Sequence, residues 1–216
     1  MGKIERLAEA HVSDTRVLQG YQNWLTKPPF QCALTSPPYA TALPYIDTQR
    51  LSLVWLRLVP PFRVSPLESD LIGSRETRGK NRNELVQYCA ENKAQIPEEL
   101  WELCNQLNGM ISAKDGFRRQ AVPKLLYRYF RDMQLSFKKI IDLLDSGSPF
   151  ALIVGKNHTI LGGKRIDLDT PTYLISLAES QGWILDEDLV LQTYQRYEKH
   201  SKNAVSAERL LVLKKA

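Results

Sequence analysis

Between residues 120 and 145 apolar positions recur at helical spacing: Leu126, Phe130, Met133, Phe137, Ile140, Ile141 and Leu144 fall three or four apart. That stripe predicts a long helix lying on a sheet, ended by Ser146-Gly147-Ser148-Pro149. Phe150 to Val154 is an unbroken apolar run of strand length, the pattern of an interior parallel strand covered on both faces. Earlier in the chain, Phe30 to Leu34 reads as a buried strand. Residues 45–58 read as a helix stopped by Pro60-Pro61. Residues 62–82 are polar, basic and predicted irregular, and 83–93 and 97–109 as two short helices. Thr170-Pro171 opens a helix to about Ser180, with Thr170 as its cap. Residues 183–193 and 208–214 read as two strands, paired antiparallel across a long loop. Residues 3–10 read as a helix or the stump of a strand, before a turn at Asp14.

This order predicts an α/β fold: part of a doubly wound sheet, with four strands after Asp14 and a helical insertion. Residues 1–57 and 116–216 form the α/β domain, incomplete on its N-terminal side. Residues 58–115 form a helical, basic insertion, a candidate target-recognition region. With no strand upstream, Phe30–Leu34 lies at an exposed apolar edge, which invites pairing with another chain.

Composition narrows the class only modestly. The chain has 216 residues, 43% hydrophobic and 25% charged, ordinary for a globular protein. No apolar run approaches the ~20 residues of a membrane span, and Met1-Gly2-Lys3-Ile4-Glu5-Arg6 lacks the apolar core of a signal peptide, so no membrane association and a cytoplasmic location are expected. Arg6 stands where a myristoylation signal at Gly2 needs Ser or Thr. Cys32, Cys89 and Cys104 lack metal or redox spacing; Cys32 is expected in the core, and no metal is expected. The net charge of +5 is compatible with nucleic acid. Arg75, Arg78, Lys80 and Arg82 crowd a stretch punctuated by Gly73 and Gly79 and are phosphate-contact candidates, although Arg75 beside Glu76 could equally be an exposed ion pair. Lys114, Arg118, Arg119, Lys124, Arg128 and Arg131, interleaved with Phe117, Tyr127 and Tyr129, could face nucleic acid or solvent. Gly162-Gly163 reads as a turn, since no helix start follows it.

Thr35-Ser36-Pro37-Pro38-Tyr39 carries the chemistry. Two successive prolines leave two positions without an N–H, so the chain must exit the ladder there as a stiff loop with bare carbonyls, one hydroxyl and one ring. In an open α/β sheet such a loop lies at the carboxyl end of a strand, where ligands bind. It suits methylation of an exocyclic amino group, a poor nucleophile that needs acceptors on its hydrogens. Ser36 Oγ and the Pro37 carbonyl would orient the nitrogen, and Tyr39 would stack on a flipped base. The alternative is a proline turn that merely ends a strand.

Residues Ser13 to Leu18, Thr35 to Tyr39, Pro44 to Asp47, Tyr129 to Met133, Phe150 to Gly155, and Arg196-Tyr197, Lys199-His200, Asn203 and Glu208 to Leu213 together resemble the S-adenosylmethionine-dependent DNA amino-methyltransferases. These act on N4 of cytosine or N6 of adenine. The Ser-Pro-Pro-Tyr form is more similar to the cytosine branch; the adenine branch more often has an acidic residue or Asn at the position of Ser36. The resemblance implies a catalytic loop of Ser36, Pro37, Pro38 and Tyr39. It implies cofactor contacts from Thr35 and Asp14, although Asp14 could also cap a helix from Arg16 onward. Tyr45 and Asp47 would line the target pocket or be first-turn helix residues. The resemblance breaks at one point: none of the 11 glycines forms the Gly-x-Gly turn that holds the cofactor. The expectation is therefore a catalytic and target-binding part whose cofactor half is elsewhere or lost, either a truncated product or one half of a split enzyme, with DNA as partner and, in the split case, a second chain carrying that turn. A non-catalytic nucleic-acid-binding or assembly subunit and an RNA methyltransferase fragment are the alternatives.

Overall fold

The computed structural model describes residues 8–24, 26–40, 45–76, 80–191 and 208–216; the side chains of Tyr45, Asp47, Lys80, Asn81 and Arg82 also lie outside that description. A four-stranded mixed sheet has the order β1-β2-β6-β5, from β1 (Ala33–Thr35), β2 (Pro149–Gly155), β5 (Trp183–Leu191) and β6 (Glu208–Lys215). β1 runs parallel to β2, while β6 is antiparallel to both β2 and β5. Between β1 and β2 the chain forms α1 (Tyr45–Trp55), α2 (Pro61–Asp70), α3 (Lys80–Ala90), α4 (Glu98–Gly109), the single turn α5 (Phe117–Gln120) and α6 (Val122–Ile140); α7 (Thr170–Glu179) precedes β5.

α6 is the spine of the core. Leu126, Tyr127, Phe130 and Phe137 are fully inaccessible, and Leu125, Tyr129, Met133 and Ser136 nearly so. Burial thus extends well beyond the single stripe expected. One side meets the sheet: Phe137 lies 6.2 Å from Phe150, Phe150 lies 5.2 Å from Trp183, and Trp183 Nε1 donates to the Phe137 carbonyl at 3.2 Å. Another side meets α3 and α4, whose Leu85, Cys89, Leu100, Cys104 and Leu107 join the same core. The Tyr127 hydroxyl accepts from Ala94 N–H at 2.9 Å and donates to Asn92 Oδ1 at 3.2 Å, so the tyrosine is buried with its polar end satisfied.

Several expectations are corrected. Residues 62–82 are not irregular throughout: Pro61 starts α2 in the first turn, where a missing N–H is harmless, and of the described residues in that stretch only 71–76 lie outside a helix. Val64 is the only buried residue of α2, so no apolar stripe announced it. The strand at Phe30–Leu34 is shorter, with Phe30 making an isolated bridge to Leu144 before β1 begins. Cys32, between them, is exposed rather than in the core. Asp14 begins only a turn, with Leu18 N–H on its carbonyl at 2.8 Å, and no helix follows from Arg16. Thr170 is the first residue of α7, not its cap; Asp169 stands at the cap position, and Thr170 Oγ1 is buried with no partner among the described residues. β2 is buried on one face only, through Phe150, Leu152 and Val154, while Ala151 and Ile153 are half-buried.

A hairpin of β3 (Asn157–Leu161) and β4 (Lys164–Leu168) forms a second sheet that the weakly patterned sequence did not announce. Gly162 and Gly163 turn it, with φ of 56° and 76°, the pairing a tight hairpin needs. Gly162 N–H donates to the buried Asp115 carboxylate at 2.9 Å, which also accepts Ser112 N–H at 2.9 Å. These bonds hold the Asp115 carboxyl below the usual range. A Cβ on Gly162 would lie 2.7 Å from the Met110 carbonyl oxygen, whereas one on Gly163 would meet nothing within 4 Å. Gly162→Ala should therefore cost about 3 kcal/mol and Gly163→Ala about 1 kcal/mol. Urea unfolding checks this, and equal losses would contradict the close approach at Gly162.

Candidate functional site

The proline loop leaves the carboxyl end of β1 and is fixed by groups from three other segments. Ser36 Oγ donates to the Ile153 carbonyl on β2 at 3.2 Å. Asn157, just beyond β2, donates its amide to the Ala40 carbonyl. The Tyr39 hydroxyl donates to Glu208 at the start of β6 at 2.5 Å. Pro37 and Ala40 are buried, Thr35, Pro38 and Tyr39 half-buried, and Ser36 exposed. This follows from the sequence: a loop missing two amide donors cannot hold itself by its own backbone, so side chains elsewhere hold it.

The loop is also backed from behind. Gly73 has φ of 76°, and a Cβ there would lie 3.0 Å from the Tyr39 carbonyl oxygen and 3.4 Å from Pro38 Cβ. Arg128 of α6 donates to the carbonyls of Ser74 and, at 2.8 Å, Glu76, which seats this segment. Burial pushes the Arg128 guanidinium below its usual range. Sequence reading placed Arg128 with the surface basic residues; the structure turns it inward. Gly73 was read only as loop punctuation, and nothing local marks Glu208 or Asn157 as loop anchors, because their partners lie more than a hundred residues away.

Asp14 sits apart from the loop's hydrogen bonds. Its carboxylate oxygens both take Arg16, at 3.0 Å from Nε and 2.6 Å from Nη2, and Oδ1 takes Arg16 N–H at 2.9 Å. Arg16 also reaches Asp132 at 3.3 Å and the Asp70 carbonyl at 2.8 Å. Asp132, almost wholly inaccessible on α6, further accepts Arg131 at 2.7 Å. A cavity of about 350 Å³ opens here, lined by Arg16, Asp70, Glu84, Tyr88, Arg131 and Asp132 among others. Its mixed charges suit a polar ligand without selecting an anion.

Of the nucleic-acid candidates, Arg75 is held below its usual range first by partial desolvation and second by the like charge of Arg118. Arg118 lies over the exposed Phe117 ring at 5.7 Å. Tyr127 and Tyr129, expected as interleaved aromatics, are core residues. Tyr45 opens α1, and Lys80 and Arg82 lie on α3, their side chains outside the description. Arg78, the 192–207 segment with Arg196-Tyr197, Lys199-His200 and Asn203, and residues 3–7 lie outside the described residues. Among the described residues no group of three His, Cys, Asp or Glu is placed to hold a metal, and burial raises the Cys89 thiol above its ordinary range and the Cys104 thiol well above it. No described helix is long and apolar enough to cross a membrane.

No protein-family model matches the chain, and no curated protein matches it. Two crystal structures of TTHA0409, a candidate DNA modification methylase from Thermus thermophilus, share part of its topology. The selenomethionine form is 14% identical with a TM-score of 0.33, over 40% of this chain and 36% of that one. The form complexed with S-adenosyl-L-methionine is 12% identical with a TM-score of 0.38, over 44% and 40%. The chain thus spans well under half the length of that protein. Likeness in that range assigns neither family nor activity.

Two measurements test the Asp14–Arg16–Asp132 network. Asp132→Asn should destabilise the fold by about 3 kcal/mol, because it weakens the pairing of two arginines at a buried position. The Arg16 hydrogen bonds hold the Asp14 carboxyl below its ordinary value. A lowered folded value means the stabilisation is complete above about pH 4 and is lost as pH falls through the folded value. The stability gap between wild type and Asp14→Asn should therefore be constant near neutrality and close on acidification; a gap independent of pH would contradict the network.

Proposed function

We propose that this chain is the catalytic-loop and target-binding portion of an enzyme that methylates an exocyclic amino group in DNA, N4 of cytosine being the assignment that Ser36 favours. The observation that carries the proposal is the Ser36 hydroxyl. Its proton is engaged by the Ile153 carbonyl at 3.2 Å, while the residue stays exposed at the mouth of a rigid loop. A hydroxyl so engaged presents lone pairs, which is what an aryl amine needs from an acceptor as charge develops on nitrogen. Pro37 contributes its carbonyl, and the half-exposed Tyr39 ring stacks on the base, its hydroxyl pinned by Glu208. Arg75, Arg78, Lys80 and Arg82 contact phosphate, and Tyr45 borders the target pocket.

S-adenosylmethionine supplies the methyl group in such reactions, and the described residues do not fit it. Both oxygens of Asp14 already accept from Arg16, and none of the 11 glycines forms a Gly-x-Gly turn. In this proposal a second chain carrying that turn completes the donor's site. The edge of β1 that pairs with no strand among the described residues, with Leu34 72% exposed, and the half-buried second face of β2 give such a chain a surface to dock on. The same absence favours the second reading, a non-catalytic nucleic-acid-binding or assembly subunit.

Calorimetry on the isolated chain should show S-adenosylmethionine binding weaker than about 100 μM, and sedimentation should show concentration-dependent association. Low-micromolar one-to-one binding by a strictly monomeric chain would overturn the split-site reading. With a cofactor-bearing partner present, labelled methyl should appear in N4-methylcytosine of duplex DNA. Ser36→Ala should lower turnover about 100-fold with little change in DNA affinity. Label in 5-methylcytosine would exclude this chemistry, label in N6-methyladenine would reassign the base, and label in RNA alone would move the substrate. No label under any condition would leave the subunit reading.

A further inference from the structure

The helices α1 and α2 form a hairpin whose two ends are anchored beside the proline loop. Ile46 at the start of α1 is buried, and the chain returning from α2 lays Gly73 against Tyr39 and Pro38. The far corner of the hairpin is uncovered and apolar. Trp55 is 80% and Phe62 78% exposed, and Leu51, Leu56 and Leu58 are exposed beside them. From residue 48 to residue 67 the only charged side chains are Arg50, Arg57 and Arg63, without one Asp or Glu. Arg50 turns back to Glu68 at 3.5 Å. Arg57 and Arg63 are exposed and form no ion pair among the described residues.

Arg57 holds an unusual position. Its φ of 55° is left-handed. Its N–H bonds the Val54 carbonyl at 3.0 Å, and Leu58 N–H bonds the Leu53 carbonyl at 2.9 Å, the closing pattern of a helix end. Glycine is the residue that fits there without strain. A cation stands at that point in spite of the strain, two residues after the exposed Trp55 and five before the exposed Phe62.

We infer that the α1–α2 corner docks on duplex DNA, with Trp55 and Phe62 as an apolar wedge against the base steps of the minor groove and Arg57 and Arg63 on the flanking phosphates. The inference rests on the reading that the proline loop acts on DNA. An apolar wedge flanked by cations is how proteins kink and grip a duplex from the minor groove. Cations without a single carboxylate match a polyanion better than a second protein surface, which would need counter-charges of its own.

Fluorescence anisotropy with a labelled duplex of about 30 base pairs tests this, in a Ser36→Ala background and without cofactor, so that binding is read apart from methyl transfer. Trp55→Ala and Phe62→Ala should each weaken binding about tenfold without altering its salt dependence. Arg57→Gly should weaken binding and lower the salt slope by about 0.9, while raising the thermal midpoint because the left-handed residue is relieved. Affinity unchanged in all three variants would overturn the wedge and leave the catalytic reading standing. Loss of corner-dependent association by sedimentation, or of retention on phosphatidylserine vesicles, with DNA affinity intact would assign the corner to a protein or a lipid surface instead. Corner-dependent DNA binding by a chain that never supports methylation would keep the wedge and remove the enzyme.

Discussion

Burial of α6 is the constraint on which the other elements depend. A helix inaccessible over most of its circumference must be enclosed, and each enclosing element supplies one side: the sheet through Phe150 and Trp183, α7 through Tyr173, and α3 and α4 through their apolar faces. Two polar residues within that helix show how strict the enclosure is. Asp132 is accommodated only because Arg16 and Arg131 reach it, and Ser136 because its hydroxyl donates to the Asp132 carbonyl at 3.0 Å. The N-terminal segment is thereby tied to α6 through charge, and also through Thr15, whose hydroxyl lies 3.0 Å from that of Ser136.

A second constraint acts on the proline loop. A chain segment without amide donors gains rigidity from its rings but loses the usual means of attachment. The structure supplies acceptors and donors from β2, Asn157 and β6, and a glycine at residue 73 that lets the backbone close in from behind. The result is a loop held still at the end of a parallel strand with one hydroxyl facing out. Rigid presentation of this kind is what positioning chemistry requires, since catalytic benefit falls steeply with misplacement.

The mixed sheet is covered on one face and open at the β1 edge. Leu34 at that edge and the aromatic corner of α1 and α2 are two of the places where large apolar side chains of the described residues lie exposed. They differ in chemistry. The edge offers backbone hydrogen bonds to another strand, whereas the corner offers rings and cations.

The elements with strong local periodicity were determined by the sequence alone. The α6 stripe, the strand character of β2 and the stiff exit at Ser36–Pro38 follow from side-chain period and from the covalent restriction of proline, although β2 is buried on one face only. Weakly patterned elements were not legible. α2 buries only Val64, and the β3–β4 hairpin is polar along most of its length and is held by its glycine turn and by Asp115, 47 residues away from Gly162. The candidate site divides in the same way. Ser36, Pro37 and Tyr39 could be read from five consecutive residues, but Arg128, Gly73, Asn157 and Glu208 became part of it only through folding, as did the engagement of Asp14 by Arg16. The reason is physical: local sequence sets backbone preference and the period of burial, while hydrogen-bond partners distant along the chain are chosen by which groups the packed core brings within about 3 Å of each other.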